Sequence, residues 1–244
     1  MIWCLKDRYT FLWDAANQLI NPILLKNIAF DYKSSFVPVS LAVRVPQVLA
    51  VRENFPAKNL KEFVAYAKAN PKKVTCGTPP SGGMGHLAIA MFQQVAGIEL
   101  IHTPYRGGAD AVRDLMGSQI DSTLLTLSTA IGAVQAGKAR ILGLTSLERT
   151  KSYPAVPTIA EQGYPGFDMN DWFGFFAAKD TPVQAIEGLQ SATTKAANSP
   201  AVIKTIDSRG MVLVVNTPAQ FASWLEVQRA SLEKLIRTAN ISIG

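Results

Sequence analysis

The chain has few of the residue types that build metal centres and disulfide frameworks. Its 244 residues include two cysteines, Cys4 and Cys76, and two histidines, His86 and His102. Two cysteines are too few for a disulfide framework, so two buried or free thiols are expected, with one disulfide bond as the alternative. No cluster of cysteine and histidine has the spacing of metal ligands, so neither a metal site nor a cofactor is expected.

Long apolar runs and concentrated charge are also missing. No apolar stretch reaches the ~18 residues that a membrane-spanning helix needs. Charged residues make up 17% of the chain, and the net charge of +6 comes from dispersed lysines and arginines. Nucleic-acid binding needs a clustered basic patch, so we expect neither nucleic-acid binding nor direct membrane insertion. The first eight residues lack the pattern of a signal peptide.

What the chain does have is a glycine-rich turn, residues 77–85, between a β-type run at 73–76 and a helical run at 87–96. The first turn of a helix leaves backbone N–H groups without partners and carries partial positive charge. With the hydroxyls of Thr78 and Ser81, such a turn suits a carboxylate or another small anion. It lacks the lysine of a phosphate-binding P-loop. An ordinary strand-to-helix connection is the alternative interpretation.

Predicted strands and helices alternate along the chain, which is typical of an α/β protein with mainly parallel sheets. The predicted strands are residues 9–13, 35–45, 47–51, 73–76, 98–103, 119–125, 140–145 and 172–178. The predicted helical segments are residues 21–25, 60–67, 87–96, 109–116, 128–135 and 158–162. Pro46 is expected to bend the chain between two strand segments, because proline lacks a backbone N–H.

Three C-terminal helices are predicted from one starting pattern, a hydroxyl residue followed by proline. The pattern occurs at Thr181-Pro182, Ser199-Pro200 and Thr217-Pro218. Gln184 and Gln220 predict capping boxes in the first and the last of these helices. The last helix is expected to pack against a sheet, because its apolar residues follow helical spacing.

Ligands of such sheets bind where strands end and helices begin. Four turns qualify here: residues 14–18, 78–85, 104–108 and 126–128. They offer backbone N–H groups, hydroxyls, one phenol at Tyr105 and one cation at Arg106, unless Arg106 is merely solvated. His86 could contact a ligand at its helix start, whereas a lone strand histidine such as His102 more often has a structural role. These groups favour binding a small polar ligand over transforming it.

A series of short motifs runs through nearly the whole chain. In order they are Asp7-Arg8-Tyr9-Thr10, Ile20-Asn21-Pro22, Phe36-Val37-Pro38-Val39-Ser40, Pro56-Ala57-Lys58-Asn59-Leu60, Tyr66-Ala67-Lys68-Ala69-Asn70-Pro71, Met84-Gly85-His86-Leu87-Ala88, His102-Thr103-Pro104-Tyr105-Arg106-Gly107, Gln119-Ile120-Asp121, Ala136-Gly137-Lys138, Pro154-Ala155-Val156-Pro157-Thr158, Trp172-Phe173-Gly174 and Thr217-Pro218. Their order and spacing together resemble the Bug-type extracytoplasmic solute receptors of tripartite tricarboxylate transporters.

The resemblance implies a two-domain α/β fold like that of type II periplasmic binding proteins, closing around a small carboxylate. Domain 1 would comprise residues 1–46 and 178–244, and domain 2 residues 47–177. The resemblance also implies a periplasmic receptor that captures an organic acid or amino acid and delivers it to a membrane permease, without catalysis. The positions that correspond to ligand contacts in the family, with His86 added, are Asp14, Ala15, Asn17, Thr78, Ser81, Gly83, Met84, His86, Tyr105, Arg106, Gly107 and Thr126.

The chain departs from the family pattern at its beginning and in two turns. Family members usually start with a signal peptide, a strand and a Pro/Gly-rich turn, so domain 1 is expected to be N-terminally truncated. The resulting exposed sheet edge and apolar surface predict marginal stability or self-association. Asp14 would repel a second carboxylate, which favours a ligand with an amino group or a neutral tail. Leu125 stands where the family often has an acidic residue, which removes one polar contact.

Two further functions stay open on the sequence alone. An enzyme acting on small carboxylates would need His86 or Asp14 as its acid or base. A truncated relic or a signalling module would contact a partner without transport.

Overall fold

The chain crosses twice between two β-sheets in the computed structural model, which describes residues 10–242. Cys4 and the first residue of the predicted strand at 9–13 lie outside this range. The strands are β1 (Phe11–Ala15), β2 (Phe36–Val45), β3 (Gln47–Arg52), β4 (Thr75–Thr78), β5 (Ile101–Pro104), β6 (Ser122–Thr126), β7 (Ala139–Leu144), β8 (Asp171–Ala178) and β9 (Val212–Leu213). The helices are α1 (Asn17–Leu24), α2 (Tyr32–Ser35), α3 (Leu60–Ala69), α4 (Met84–Ala96), α5 (Gly108–Met116), α6 (Leu127–Gln135), α7 (Val183–Ala197), α8 (Pro200–Ser208) and α9 (Pro218–Thr238), with a 3-10 turn at Ala160–Gln162.

The first sheet has the order β1-β8-β2-β9, and the second has the order β5-β4-β6-β3-β7. The prediction of mainly parallel sheets is wrong. Strand β4 is parallel to β5 and β6, but β3 is antiparallel to both of its neighbours, and every pairing in the first sheet is antiparallel. The reason is that β3 enters the second sheet directly from β2, without a helix between them, and therefore runs against the strands that helices follow.

The two crossings bring the sheets together at one place. Pro46 alone separates β2 from β3, as predicted, and its carbonyl accepts a hydrogen bond from the Leu127 N–H at 3.1 Å. Gln47 then lies opposite Thr126 in the register of β3 and β6. The second crossing ends at Asp171, the first residue of β8, which lies opposite Val45 of β2.

A continuous apolar core runs beneath both sheets, and its largest members are aromatic. Phe221 of α9 is fully buried and contacts Trp172, with ring centroids 5.8 Å apart. Its ring lies directly over the backbone of Gly174, where an added Cβ would come within 2.6 Å of Phe221 Cζ. Helix α9 packs on β2, which confirms that the last helix covers a sheet.

The helix starts differ in how they are capped. Thr217 and Gln220 form the predicted capping box of α9. The box predicted at Gln184 is wrong: Pro182 itself is the N-cap of α7, so Thr181 lies one residue too early for its hydroxyl to cap the helix. Ser199 is the N-cap of α8, but its side chain makes no capping bond.

Two expectations from the composition concern the cysteines and membrane-spanning helices. Cys76 is a free, fully buried thiol, and burial raises its pKa to about 12. Between residues 10 and 242, no helix combines the length and the apolar character needed to cross a bilayer.

Candidate ligand-binding cleft

A cleft of about 200 Å³ lies where the crossings bring the two sheets together. At about 30 Å³ per water molecule, this volume corresponds to about six or seven waters, which suits a small ligand. The residues that line it are Ala15, Ala16, Asn17, Gln47, Pro79, Gly83, Met84, Gly85, Gly108, Leu125, Thr126, Thr129 and Asp171. The cleft is therefore lined by segments that belong to both sheets.

Four helices begin at this cleft. Helix α1 starts after Ala16, α4 after Gly83, α5 after Gly107 and α6 after Thr126, and none of these N-caps forms a side-chain capping bond. The N–H groups of each first turn have no partner within the helix, and each macrodipole adds partial positive charge. In α6 the first of them, the Leu127 N–H, donates to the Pro46 carbonyl, so the following N–H groups of that turn are the ones left for a ligand. Convergent helix starts of this kind form a site for an anion.

What distinguishes this cleft from the rest of the protein is that four helices begin at it. Away from the cleft, Asn59 caps α3 by accepting a hydrogen bond from the Glu62 N–H at 2.9 Å, and Thr217 caps α9. Helices α7 and α8 also lack a side-chain cap, so a missing cap does not by itself identify the site. Only residues at the starts of α1, α4, α5 and α6 line this cleft among the described helices.

Two glycines allow the backbone of these helix starts to pack closely. A Cβ added at Gly85 would lie 3.1 Å from the carbonyl oxygen of Leu124. A Cβ added at Gly108 would lie 2.8 Å from Thr129 Cγ2. Glycine at these positions lets helix starts and strand ends meet around the cleft without a clash.

Hydroxyl groups lie beside the start of α6. Thr126 Oγ1 is 2.7 Å from Thr129 Oγ1 and 3.3 Å from Ser128 Oγ. Each hydroxyl can donate or accept, so the group can adjust to a ligand oxygen.

Gln47 is the buried polar side chain of the cleft. It is 4% exposed, and its backbone N–H donates to Thr145 Oγ1 at 3.0 Å, which holds the residue in place. Its side-chain Oε1 is buried without a hydrogen-bond partner in the structure. A buried acceptor without a donor is uncommon in folded proteins and needs an explanation.

Asp171 is the carboxylate of the cleft. Its Oδ1 accepts a hydrogen bond from the Trp172 N–H at 2.9 Å, and the Ala16 N–H also faces it. Burial raises the pKa of Asp171 more than these N–H groups lower it. Of the described residues that line the cleft, Asp171 alone has an ionisable side chain, and none is a lysine, arginine or histidine.

The structure brings only part of the sequence-predicted site to this cleft. The predicted residues that line it are Ala15, Asn17, Gly83, Met84 and Thr126. Gly107 is the N-cap of α5, directly before the lining residue Gly108. The predicted residues that do not line it are Asp14, Thr78, Ser81, His86, Tyr105 and Arg106.

Local contacts explain where two of these polar residues point. The Thr78 hydroxyl is fully buried, donates to the Pro79 carbonyl at 2.8 Å and pairs with His102 Nε2 at 2.7 Å. The Tyr105 hydroxyl donates to Asp114 Oδ2 at 3.0 Å.

Three of the four remaining positions, Asp14, Ser81 and Arg106, also do not line the cleft. Asp14 Oδ1 accepts from the Ala15 N–H at 2.8 Å, while Ser81 and Arg106 are exposed. The carboxylate of the cleft is therefore Asp171 and not Asp14.

Sequence reasoning missed Gln47 and Asp171. Both were visible as polar residues at the edges of apolar strands, Gln47 after Pro46 and Asp171 before Trp172. Their importance follows from pairings between distant strands, which local patterns do not reveal.

His86 and His102 form a stacked pair behind the glycine-rich turn. Their ring centroids are 3.9 Å apart, and His86 Nδ1 accepts a hydrogen bond from the Gly82 N–H at 3.1 Å. Burial, and then the charge of His86, lower the pKa of His102 from its usual 6.5 to about 4. Burial also lowers the pKa of His86. His102 thus has a structural position, as predicted.

The free energy of unfolding is expected to decrease as the pH falls from 6.5 towards 4, because unfolded His102 takes up a proton that folded His102 resists. The contribution of His102 should level off below pH 4, where the residue is protonated in both states. The half-buried Asp14 and Asp171 have raised pKa values and act in the opposite direction. Urea unfolding across this range should therefore be compared with His102→Gln, which cannot be protonated. Equal pH dependence in both proteins would contradict the prediction.

Within residues 10–242, no group of three or more histidine, cysteine, aspartate or glutamate residues is placed to hold a metal ion.

The chain matches a known protein family and is similar to several known proteins. The family model described as "Tripartite tricarboxylate transporter family receptor" matches residues 3–241. A protein from the tcbD–tcbE intergenic region of Pseudomonas sp. strain P51 is 32% identical over 231 residues, which cover 94% of this chain and 69% of that protein. BugT of Bordetella pertussis is 30% identical over 227 residues, which cover 91% of this chain and 70% of BugT.

Solved structures share the fold. R. palustris Rpa4515 with adipate has a TM-score of 0.88 and 27% identity, and the match covers 96% of this chain and 79% of that one. The periplasmic binding protein BugD has a TM-score of 0.84 and 29% identity, covering 97% of this chain and 80% of BugD. The chain thus spans about four fifths of these structures, and 64% of a second Bordetella pertussis relative.

Proposed function

Because the chain belongs to the receptor family of tripartite tricarboxylate transporters, we propose that it binds a small carboxylate in the cleft and presents it to a membrane permease. The observation that carries this proposal is the convergence of four helix starts on one cleft. A carboxylate there would accept hydrogen bonds from backbone N–H groups. Such bonds to a charged group contribute about 1.5–3 kcal/mol each.

The cleft suits a carboxylate in a further respect. No basic side chain among the described lining residues would have to shed its water on binding, since the positive potential comes from fixed backbone dipoles. The related Rpa4515 structure, which holds adipate, supports a carboxylate as the ligand class.

Capture between two lobes is part of the proposal. The lobes would be residues 1–46 with 178–244, and residues 47–177, and their closure would be a hinge motion about the two crossings. The ligand-contacting residues of this proposal are those that line the cleft, together with the predicted positions that lie next to it, such as Gly107.

We further infer a periplasmic location and a role without catalysis. The first is supported by BugD, which is described as a periplasmic binding protein. The second is supported by the position of the two acid–base candidates, since neither His86 nor Asp14 lines the cleft. The permease partner follows from family membership alone.

Isothermal titration of the purified chain with small acids tests the proposal. At least one of propionate, lactate, succinate, adipate, alanine, aspartate or 4-aminobutyrate should bind at micromolar or lower Kd. The methyl ester of the best ligand, which lacks the charged carboxylate, should bind at least a hundredfold more weakly. Binding of the ester as tightly as the acid, or no binding of any acid to folded protein, would reject the proposal.

A further inference from the structure

We propose that the side-chain amide of Gln47 donates hydrogen bonds to the ligand carboxylate, which makes Gln47 a specificity-determining residue of the cleft. This inference rests on the proposed function, because it concerns the same ligand in the same cleft. It adds one side-chain donor to the backbone N–H groups of the helix starts and assigns the carboxylate a position beside α6.

The two ends of the Gln47 amide have different surroundings. The side chain lines the cleft and is 4% exposed, and its Oε1 is sealed inside the protein without a hydrogen-bond partner. Nε2 is not sealed in this way, and it makes no hydrogen bond to any described residue. The polar atom that Gln47 presents to the cleft is therefore the Nε2 donor, which can give two hydrogen bonds.

Strand pairing sets this donor beside the start of α6. Gln47 lies opposite Thr126 in the register of β3 and β6, and the Leu127 N–H donates to the Pro46 carbonyl, one residue outside this pair on each strand. The bond pattern makes Gln47 and Thr126 a non-hydrogen-bonded pair, in which the Cα atoms are about 4.5 Å apart and the side chains lie closest. Both residues line the cleft, so the amide and the Thr126 hydroxyl border the same part of it.

The backbone of Gln47 is fixed from the other side of β3. Its N–H donates to Thr145 Oγ1 at 3.0 Å, and its carbonyl accepts from the Thr145 N–H at 2.9 Å. A residue that is held in place before binding loses little conformational entropy when it contacts a ligand. Gln47 thus forms a preorganised donor.

The groups next to this donor are donors as well. In the first turn of α6 the N–H groups of Ser128 and Thr129 have no partner within the helix. Among the described lining residues, the other side-chain N–H donor is the exposed Asn17 at the start of α1. A carboxylate has two oxygens that accept several hydrogen bonds, so it can bond to Gln47 Nε2 and to α6 at once.

The sealed Oε1 supports a role in ligand binding. A buried acceptor without a donor destabilises the folded protein, and an apolar side chain of the same length would avoid this loss. An amide at this position is accounted for if its other end binds the ligand.

The substitution Gln47→Met tests the inference, because methionine has a similar length and no donor. Titration calorimetry would use the tightest-binding acid among propionate, lactate, succinate, adipate, alanine, aspartate and 4-aminobutyrate, together with its methyl ester. The acid should lose about tenfold or more in affinity, as expected for one hydrogen bond to a charged group, and the ester less than about threefold. The Tm should not decrease, because the change leaves no protein donor unpaired.

A second readout follows the amide itself. The side-chain NH₂ signals of Gln47 can be assigned in the proton–nitrogen correlation spectrum of the unmodified chain, because they are absent from the spectrum of Gln47→Met. Saturation with the acid should move one of these proton signals downfield, and saturation with the ester should move it less. Unmoved signals, or equal losses of affinity for acid and ester, would indicate a structural role and overturn the assignment.

Gln18→Met is the matched control. Gln18 is also 4% exposed and has one sealed amide atom without a partner, but it lines a different groove, with Phe36 and Leu225. Its substitution should leave the affinity for the acid within about twofold. If Gln47→Met does not fold, Gln47→Asn, which withdraws the amide by one methylene group, takes its place with the same expected loss.

Failure of this inference is distinct from failure of the proposed function. If an acid binds the unmodified chain and Gln47→Met binds it within about threefold, this inference is overturned while the proposed function stands. If no acid binds to the folded protein, the proposed function fails, and this inference fails with it.

Discussion

The substitution Thr126→Asp is expected to abolish tight carboxylate binding without destabilising the protein. Thr126 is the N-cap of α6 and lines the cleft. An aspartate there can accept hydrogen bonds from the first N–H groups of the helix, and its charge is favourable beside the macrodipole. The same charge would occupy the position that the ligand carboxylate needs. Two like charges about 4 Å apart repel by about 4 kcal/mol at an effective dielectric constant of about 20, which predicts at least a hundredfold loss of affinity.

Opposite changes in affinity and stability separate this effect from simple damage to the fold. Calorimetric titration and thermal unfolding of the same sample should show the Kd rising while the Tm stays equal or increases. The control is Ser199→Asp, which places the same residue at the N-cap of α8, also without a side-chain capping bond but away from the cleft. It should affect stability similarly and leave the affinity unchanged. A Thr126→Asp protein that binds within tenfold of the original would contradict the proposed site.

The substitution Phe221→Ala is expected to lower the free energy of unfolding by about 3–5 kcal/mol, as for other large-to-small changes in a core. The ring is fully buried between three aromatic neighbours, with centroids 5.8 Å from Trp172, 5.2 Å from Phe176 and 6.1 Å from Trp224. Gly174 lies directly beneath it and has no side chain that could fill the resulting cavity.

Urea unfolding monitored by circular dichroism measures this loss. Val227→Ala is the control on the same helix, because Val227 is 66% exposed and its truncation should change the free energy of unfolding by less than about 0.5 kcal/mol. A Phe221→Ala protein that loses less than about 1 kcal/mol would show that the ring is not the centre of this core.

Local chemistry predicted the features that depend on neighbouring residues. Pro46 separates two strands, and Thr217 and Gln220 form the capping box of α9. Each of these outcomes is set within a few residues, by a missing N–H or by a side-chain acceptor. The glycine-rich turn was likewise correctly placed between a strand and a helix.

Features that depend on distant pairings were not predictable in the same way. The direction of β3 follows from its entry out of the first sheet, and no periodicity encodes this. Asp171 reaches the cleft because β8 pairs with β2, more than a hundred residues earlier in the chain. Thr78 was predicted to face a ligand, yet its hydroxyl pairs with His102 of the neighbouring strand. Side-chain direction at a turn thus depends on the adjacent strand as much as on the turn.

The single residue between β2 and β3 has a consequence for the energetics of capture. If two lobes close as proposed, this connection of one proline contains no flexible loop that would have to become ordered. At this crossing, opening and closing would then depend on a few torsion angles, together with the water released from the cleft. Such a receptor could sample its closed form without a ligand, and the ligand would then stabilise a conformation that the free protein already adopts.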